Sequence, residues 1–337
     1  MGRYVPSHFK SPLSLAWRLT QSWDRDAFGA MAQAAAGVLL APLDMLLAGR
    51  ESGLYARATP PQLPQLFVCG PPRSGTTVVA QTLIPHLPVA YLSNVTGLFP
   101  RSPITAMRHL GRRLAPWRPA YHSYYGRVAA LQGPNDALGL WDRWLGPDRT
   151  RPRDTLTAQE GEELWRFFGA LEAWTRRPLV AKNNNLNLQA KAVATVLPTA
   201  RFLCLDRDPL FLAQSLLTAR LTIHGDDEAA YGLAPEAAGT ENRFESVCRQ
   251  VRFLREGAEA QRDAVGADRF WIVRYEDFCA NPAQWITRVG LELLGLSEAE
   301  IRLPSSDFHL SARTRATLPA ADSEQLERTL RQARLIS

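Results

Sequence analysis

Three groups of residues have the types and spacing for anion chemistry. Gly70-x4-Gly75-Thr76-Thr77 lies between a short apolar run, Leu66-Phe67-Val68-Cys69, and an apolar-periodic segment reaching Leu83, which predicts strand, tight loop and helix. In that setting successive backbone N–H groups and a helix N-terminus face an anion. The loop adds a cation, Arg73, and the hydroxyls of Ser74, Thr76 and Thr77. A guanidinium grips oxyanions in a bidentate fork, so such a loop can hold a terminal anionic group without a metal. A nucleoside-triphosphate loop would need lysine where Thr76 stands. The second group is Arg207-Asp208-Pro209 with Ser215, following the apolar run Phe202-Leu203-Cys204-Leu205. Pro209 suits the first turn of a helix, and Ser215 reaches the ligand edge if the chain doubles back at that helix start. The third is Lys182, at the end of Leu179-Val180-Ala181 and one of only three lysines in the chain. In a sequence that otherwise uses arginine, this points to a need for a compact ammonium.

Pro72-Arg73-Ser74-Gly75-Thr76-Thr77 resembles, position by position, the 5′-phosphosulfate loop P-[KR]-S-G-T-[ST] of sulfotransferases that use 3′-phosphoadenosine 5′-phosphosulfate (PAPS). Arg207-Asp208-Pro209 with Ser215 is similar to that family's second motif, R-[DN]-P with a serine eight residues after the arginine. Arg274-Tyr275-Glu276-Asp277-Phe278 resembles its late Y-E-D-L segment, read here as chiefly structural. The resemblance spans about residues 65 to 295, is of bacterial type, and implies PAPS as co-substrate with no metal. It implies that Pro72, Arg73, Ser74, Gly75, Thr76, Thr77, Arg207 and Ser215 bind the nucleotide, with Arg207 and Ser215 on its 3′-phosphate. It also places Lys182 near the bond being broken, where Lys182 and Arg73 would neutralise the leaving phosphate. The family's C-terminal glycine-rich nucleotide loop has no counterpart, and Arg313 and Arg315 are candidates to replace it.

The base is where the chain departs from the pattern. Cytosolic-type members place histidine two residues after the strand-end lysine, where this chain has Asn184; many others place glutamate after the second strand, where it has Asn94. Asparagine can orient a substrate but cannot take its proton. Asp136 and His122 are the candidates that remain: imidazole titrates near neutrality, and Asp136 opens an apolar helix, where its ordinary role would be an N-cap. Trp141 and Trp144 could stack on a sugar or ring, although aromatics at this spacing usually pack in a core.

Short apolar runs alternating with helical patterns predict the elements that must carry these residues. Besides Leu66–Cys69, the expected strands are Val89–Leu92, Leu179–Ala181, Phe202–Leu205 and Phe270–Val273; the expected helices are 160–175, 186–197, 208–220, 241–263 and 282–294. That alternation predicts an α/β, P-loop-like, three-layer fold with a mainly parallel central sheet flanked by helices. Residues 65–300 form the expected domain, with a substrate-side insertion at 95–155, a helical N-terminal extension at 1–55 and a C-terminal tail at 301–337. The extension lacks the pattern of a secretory signal. Its most apolar stretch, Ala27 to Leu43, is closed by Pro42 and Asp44 and is shorter than the ~20 apolar residues that span a bilayer, so it reads as a packed helix. Peripheral membrane contact through residues 27–48 is the sharper alternative.

The 337 residues include 46% apolar and 21% charged side chains, enough to bury a core. A net charge of +6 favours an anionic ligand or surface, but no basic run resembles a nucleic-acid arm. Cys69, Cys204, Cys248 and Cys279 lie far apart with no metal-ligand spacing, as suits a reducing cytoplasm. The expected function is sulfuryl transfer from PAPS to a hydroxyl of a glycan, lipid-linked glycan or natural product. The alternatives are a P-loop nucleotide kinase using Asp206 and magnesium, and a nucleotide-binding protein of the same fold without a base.

Overall fold

The computed structural model describes residues 25–111, 113–114, 117–121, 126–148, 151–236, 241–312, 314 and 318–336. Its strands are β1 (Gln65–Cys69), β2 (Ala90–Tyr91), β3 (Leu179–Lys182), β4 (Ala200–Asp206) and β5 (Phe270–Arg274). The helices up to the middle of the chain are α1 (Arg25–Tyr55), α2 (Thr76–His86), α3 (Asn94–Leu98), α4 (Pro103–Leu110), α5 (Leu138–Leu145) and α6 (Ala158–Thr175). They continue as α7 (Ala190–Val196), α8 (Pro209–His224), α9 (Arg243–Val265), α10 (Tyr275–Ala280), α11 (Pro282–Arg288) and α12 (Ala320–Gln332).

The five strands form one sheet in the order β2-β3-β1-β4-β5, and every pairing is parallel. Parallel sheets need both faces covered, and the alternation of side chains along β1 serves both. Phe67 and Cys69 enter a core with Phe202, Phe270 and residues of α5, α6 and α7; Leu66 and Val68 enter another with Leu203, Val273 and residues of α2, α10 and α11. The α/β three-layer arrangement expected from the alternating pattern is therefore present. A third cluster joins α8 and α9 to α12, whose Leu326 and Leu330 are fully buried. Trp141 and Trp144 are core residues, 2% and 0% exposed, with Trp141 edge-on to Phe67 and Trp144 tilted against Phe167 and Phe168. They stack on no ligand.

In the N-terminal extension the apolar stretch that the sequence closes at Pro42 continues as helix. Helix α1 runs straight through Pro42 to Tyr55, although an interior proline removes a hydrogen bond and crowds the preceding turn. Two buried carboxylates hold the C-terminal half in line. Asp44 accepts from the Arg101 amide (3.1 Å) and Ser102 Oγ (2.6 Å). Glu51 accepts from the Ile104 and Thr105 amides (3.1 and 2.8 Å), from Thr105 Oγ1 (2.6 Å) and from the Tyr55 hydroxyl (3.0 Å). Burial, with Glu51 beside it, raises the Tyr55 pKa and keeps that phenol a donor. The amides at the start of α4 have no intrahelical partner, and a carboxylate there also meets the positive end of the helix dipole.

Removing the Glu51 carboxylate strands buried donors that each cost about 1–3 kcal/mol unsatisfied. Glu51→Ala is expected to lower the free energy of unfolding in urea by at least ~2 kcal/mol. A loss within experimental error would show that α1 is not anchored through this residue.

Candidate functional site

β1 ends at Cys69 and the chain turns sharply into α2. Gly70 (φ 137°) and Gly75 (φ 97°) take left-handed backbone, and both are crowded. A Cβ on Gly70 would stand 2.6 Å from the Leu205 carbonyl, and one on Gly75 would stand 2.2 Å from the Tyr275 ring. Arg73 also has positive φ, 74°, a conformation costing of order 1 kcal/mol or more for a side-chain-bearing residue. That turn aims its guanidinium across the loop mouth, where Nε donates to Ser215 Oγ at 3.1 Å. Arg207 Nη1 donates to the Arg73 carbonyl at 2.8 Å. The two sequence motifs, far apart along the chain, thus meet at one point.

The second motif is built as its proline suggests. Asp208 caps α8, accepting from the Leu210 and Phe211 amides, and Pro209 opens the helix. Ser215 is carried back toward the loop, as its contact with Arg73 shows. Burial lowers the Arg207 pKa, an effect reinforced by Arg73 and opposed by Tyr275, Glu276 and Asp208. The Arg207 guanidinium lies 5.7 Å from the centre of the Tyr275 ring, and Glu276 Oε1 accepts from the Asp208 amide at 3.2 Å. Tyr275 and Glu276 therefore brace both motifs. The sequence reading of this segment as chiefly structural missed its place against the loop; the Tyr-Glu-Asp pattern directly after β5, beside β4, was the available signal. Pro72 packs where a Cβ on Gly232 would come within 2.6 Å.

A polyanion suits this loop. Ser74 Oγ is buried with no hydrogen-bond partner among the described residues, in the turn that leads into α2. Orphaned buried donors are rare, and two guanidinium groups lie alongside.

Lys182 sits at the end of β3, 3% exposed. Its ammonium donates to Thr77 Oγ1 (3.0 Å) on α2 and to the Gly126 carbonyl (3.2 Å) of the insertion, and forms an ion pair with Asp136. Two of the ammonium's three donors have hydrogen-bond acceptors here, and the Asp136 carboxylate supplies the counter-charge. The two candidate catalytic residues Lys182 and Asp136 are thus in direct contact. Asp136 is not an N-cap, in contrast to its ordinary role at that position: Ala137 occupies the cap of α5 without a side-chain bond, because Asp136 turns toward the buried ammonium. His122, the other candidate base, and Arg313 and Arg315 lie outside the described residues.

Both asparagines that stand where relatives place a base have structural partners. Asn184 Oδ1 accepts from Thr76 Oγ1 at 2.8 Å. Asn94 Nδ2 donates to the Val128 and Ala130 carbonyls, and its Oδ1 accepts from Asn135 Nδ2 at 2.6 Å. Asn135 in turn accepts from the Ala137 amide, which fixes the chain on either side of Asp136. Sequence reasoning gave Asn135 no role. Asp206, the magnesium ligand of the kinase reading, pairs with Arg255 at 2.9 Å, and burial raises its pKa against the pull of that arginine.

A model of the sulfotransferase family matches residues 64–300. The chain is 27% identical over 168 residues to the omega-hydroxy-beta-dihydromenaquinone-9 sulfotransferase Stf3 of Mycobacterium bovis and of Mycobacterium tuberculosis. That stretch is 49% of this chain and spans 40% of the length of those relatives. Among solved structures, sulfotransferase STF9 from Mycobacterium avium superposes with a TM-score of 0.50 at 15% identity, over 97% of this chain and 89% of that one. Sulfotransferase STF1 from Mycobacterium tuberculosis does so with a TM-score of 0.50 at 13% identity, over 94% and 90%. At these identities the likeness is one of fold, and it is the P-loop-like α/β fold expected from the sequence.

Asparagine is a good N-cap, so Asp136→Asn would be nearly silent if the residue only capped α5. Breaking an ion pair to a buried charge costs about 3–5 kcal/mol, and the 22% exposure of the Asp136 side chain reduces this to roughly 1–3 kcal/mol. Asp136→Asn should show that loss in urea unfolding. A double-mutant cycle with Lys182→Met should return a coupling above ~0.5 kcal/mol; additive effects would remove the pairing.

Proposed function

The chain belongs to the sulfotransferase family, and from that premise we propose that it transfers a sulfuryl group from PAPS to a hydroxyl of a glycan, lipid-linked glycan or natural product. One observation carries the reading: Arg73, Ser215 and Arg207 converge at the end of β1, with Lys182 and Asp136 at the neighbouring end of β3. The donor supplies an SO3 group on a phosphate leaving group. Ser74, the loop amides and Arg73 hold the 5′ side of it, and Arg207 with Ser215 hold the 3′-phosphate through charge-assisted bonds. Pro72, Gly75, Thr76 and Thr77 shape the loop that presents those groups.

Transfer forms a bond from the acceptor oxygen to sulfur, breaks the bond from sulfur to the phosphate oxygen, and releases the acceptor proton. Preorganised positive charge at the leaving oxygen is the largest available assistance, and Lys182 is held at that end of the sheet to provide it. As the ammonium turns to the leaving phosphate, Asp136 is freed from it to take the proton. On this proposal Asp136 is the base that the nucleotide-binding reading lacks. Four buried free thiols suit a reducing cytoplasm. The curated relatives are named for an omega-hydroxy group on a dihydromenaquinone, which supports an alcohol acceptor.

Calorimetry with 3′-phosphoadenosine 5′-phosphate in EDTA should show saturable binding, with 5′-AMP weaker and Arg207→Ala erasing most of the difference. Equal affinity of the unaltered protein for both nucleotides would remove the role given to Arg207 and Ser215. With radiolabelled PAPS and an alcohol acceptor, Asp136→Asn should keep nucleotide affinity while turnover falls ~10²–10⁴-fold, the span of general-base catalysis. Undiminished turnover in a folded Asp136→Asn protein would exclude the aspartate and leave His122 as the candidate.

A further inference from the structure

Helix α1 is apolar on both sides: Leu40, Leu47 and Leu54 pack against the core, and a second set of large apolar residues faces away from it. Its acidic residues between 28 and 55, Asp44 and Glu51, are 0% and 1% exposed and bonded to the start of α4. Six other large apolar residues are exposed: Leu39 and Leu46 at 80% and 78%, with Met45, Val38, Leu43 and Phe28. Asp44 and Glu51 are seven residues apart, as are Leu39 and Leu46, so the carboxylates line the packed side among Leu40, Leu47 and Leu54 while the exposed leucines line another. Met31–Tyr55, 25 residues that include an 18-residue stretch with a mean hydropathy of 1.6, is long and apolar enough to cross a bilayer by length and composition. The buried carboxylates nonetheless tie its length to α4 and the turn before it, so it cannot leave the body to span one without stranding them.

The charge around this face selects the occupant. Between Glu51 and Asp136 the sequence has no acidic residue and eight arginines. Arg50, Arg57, Arg101, Arg108, Arg113 and Arg118 are exposed on α1, on α4 and in the loops beside them. A second copy of this chain would bring the same cations together, whereas an anionic membrane surface is attracted by each of them. We propose that the outward face of α1 docks on an anionic lipid bilayer, with Leu39, Met45 and Leu46 entering the acyl boundary and the neighbouring arginines meeting headgroups. The helix lies in the interface plane. Gln33, on the packed stripe of α1 with Asp44, comes within 3.5 Å of the Asn94 carbonyl through Nε2, and Asn94 holds Asn135 next to Asp136, so the packed side of the docked helix adjoins the acceptor side of the site.

The docking stands on α1 and not on sulfuryl transfer, and its test uses neither donor nor acceptor. The full chain is floated with vesicles of phosphatidylcholine alone or with one quarter phosphatidylglycerol. Binding to the anionic vesicles, weakened by 0.5 M salt and lowered at least tenfold in Leu39→Glu/Leu46→Glu, is the expected result. Nucleotide calorimetry on the same samples reports folding and the donor site separately. Leu39→Trp, a milder change, should gain quenching by brominated acyl chains. Failure to float, lack of that quenching, resistance to alkaline carbonate as for a spanning helix, or a dimer in solution that the double variant dissolves would each overturn the proposal.

Discussion

A buried ammonium constrains this molecule more than any other group. Lys182 lies at the end of an interior strand, where a charge is tolerated only if its donors find acceptors. Thr77, Gly126 and Asp136 come from the first helix after the loop, from the insertion, and from the turn before α5. Satisfying one side chain therefore brings three separate stretches of chain to the same edge of the sheet. The insertion is held over that edge by the same requirement, with Asn94 and Asn135 adding hydrogen bonds behind it.

The anion loop is set by crowding as much as by charge. Tyr275 presses so closely on Gly75 that no side chain fits there, and Leu205 does the same at Gly70. The glycines thus let β4 and the segment after β5 approach the loop, and that approach delivers Arg207 to the Arg73 carbonyl. Steric fit and electrostatics are two descriptions of one arrangement, because the close approach is what brings the cations to a common point.

Much of this was legible in the residues themselves. Each strand is a short apolar run, and each lies within a residue or two of where that run predicts it, because a doubly covered parallel strand must be apolar on both sides. The loop and Arg207 could be read because their chemistry is local: a glycine pair, a cation, a proline opening a helix. What escaped depends on contacts between distant residues. Nothing near Asp136 reveals that it turns away from its own helix toward Lys182, and nothing around Tyr275 announces Gly75. Pro42 looked like the end of a helix, since local rules end helices at proline; the carboxylates that carry α1 past it have partners some fifty residues away. Trp141 and Trp144 carried the opposite lesson, being core at a spacing where core was the ordinary expectation.

Main-chain atoms fasten the insertion to the rest of the molecule. Lys182 holds the carbonyl of Gly126, and Asn94 holds those of Val128 and Ala130. Every residue type offers that oxygen. Exposed side chains along this stretch are therefore free to diversify under selection while the fastening persists, so long as Gly126 keeps its left-handed backbone and Val128 stays buried.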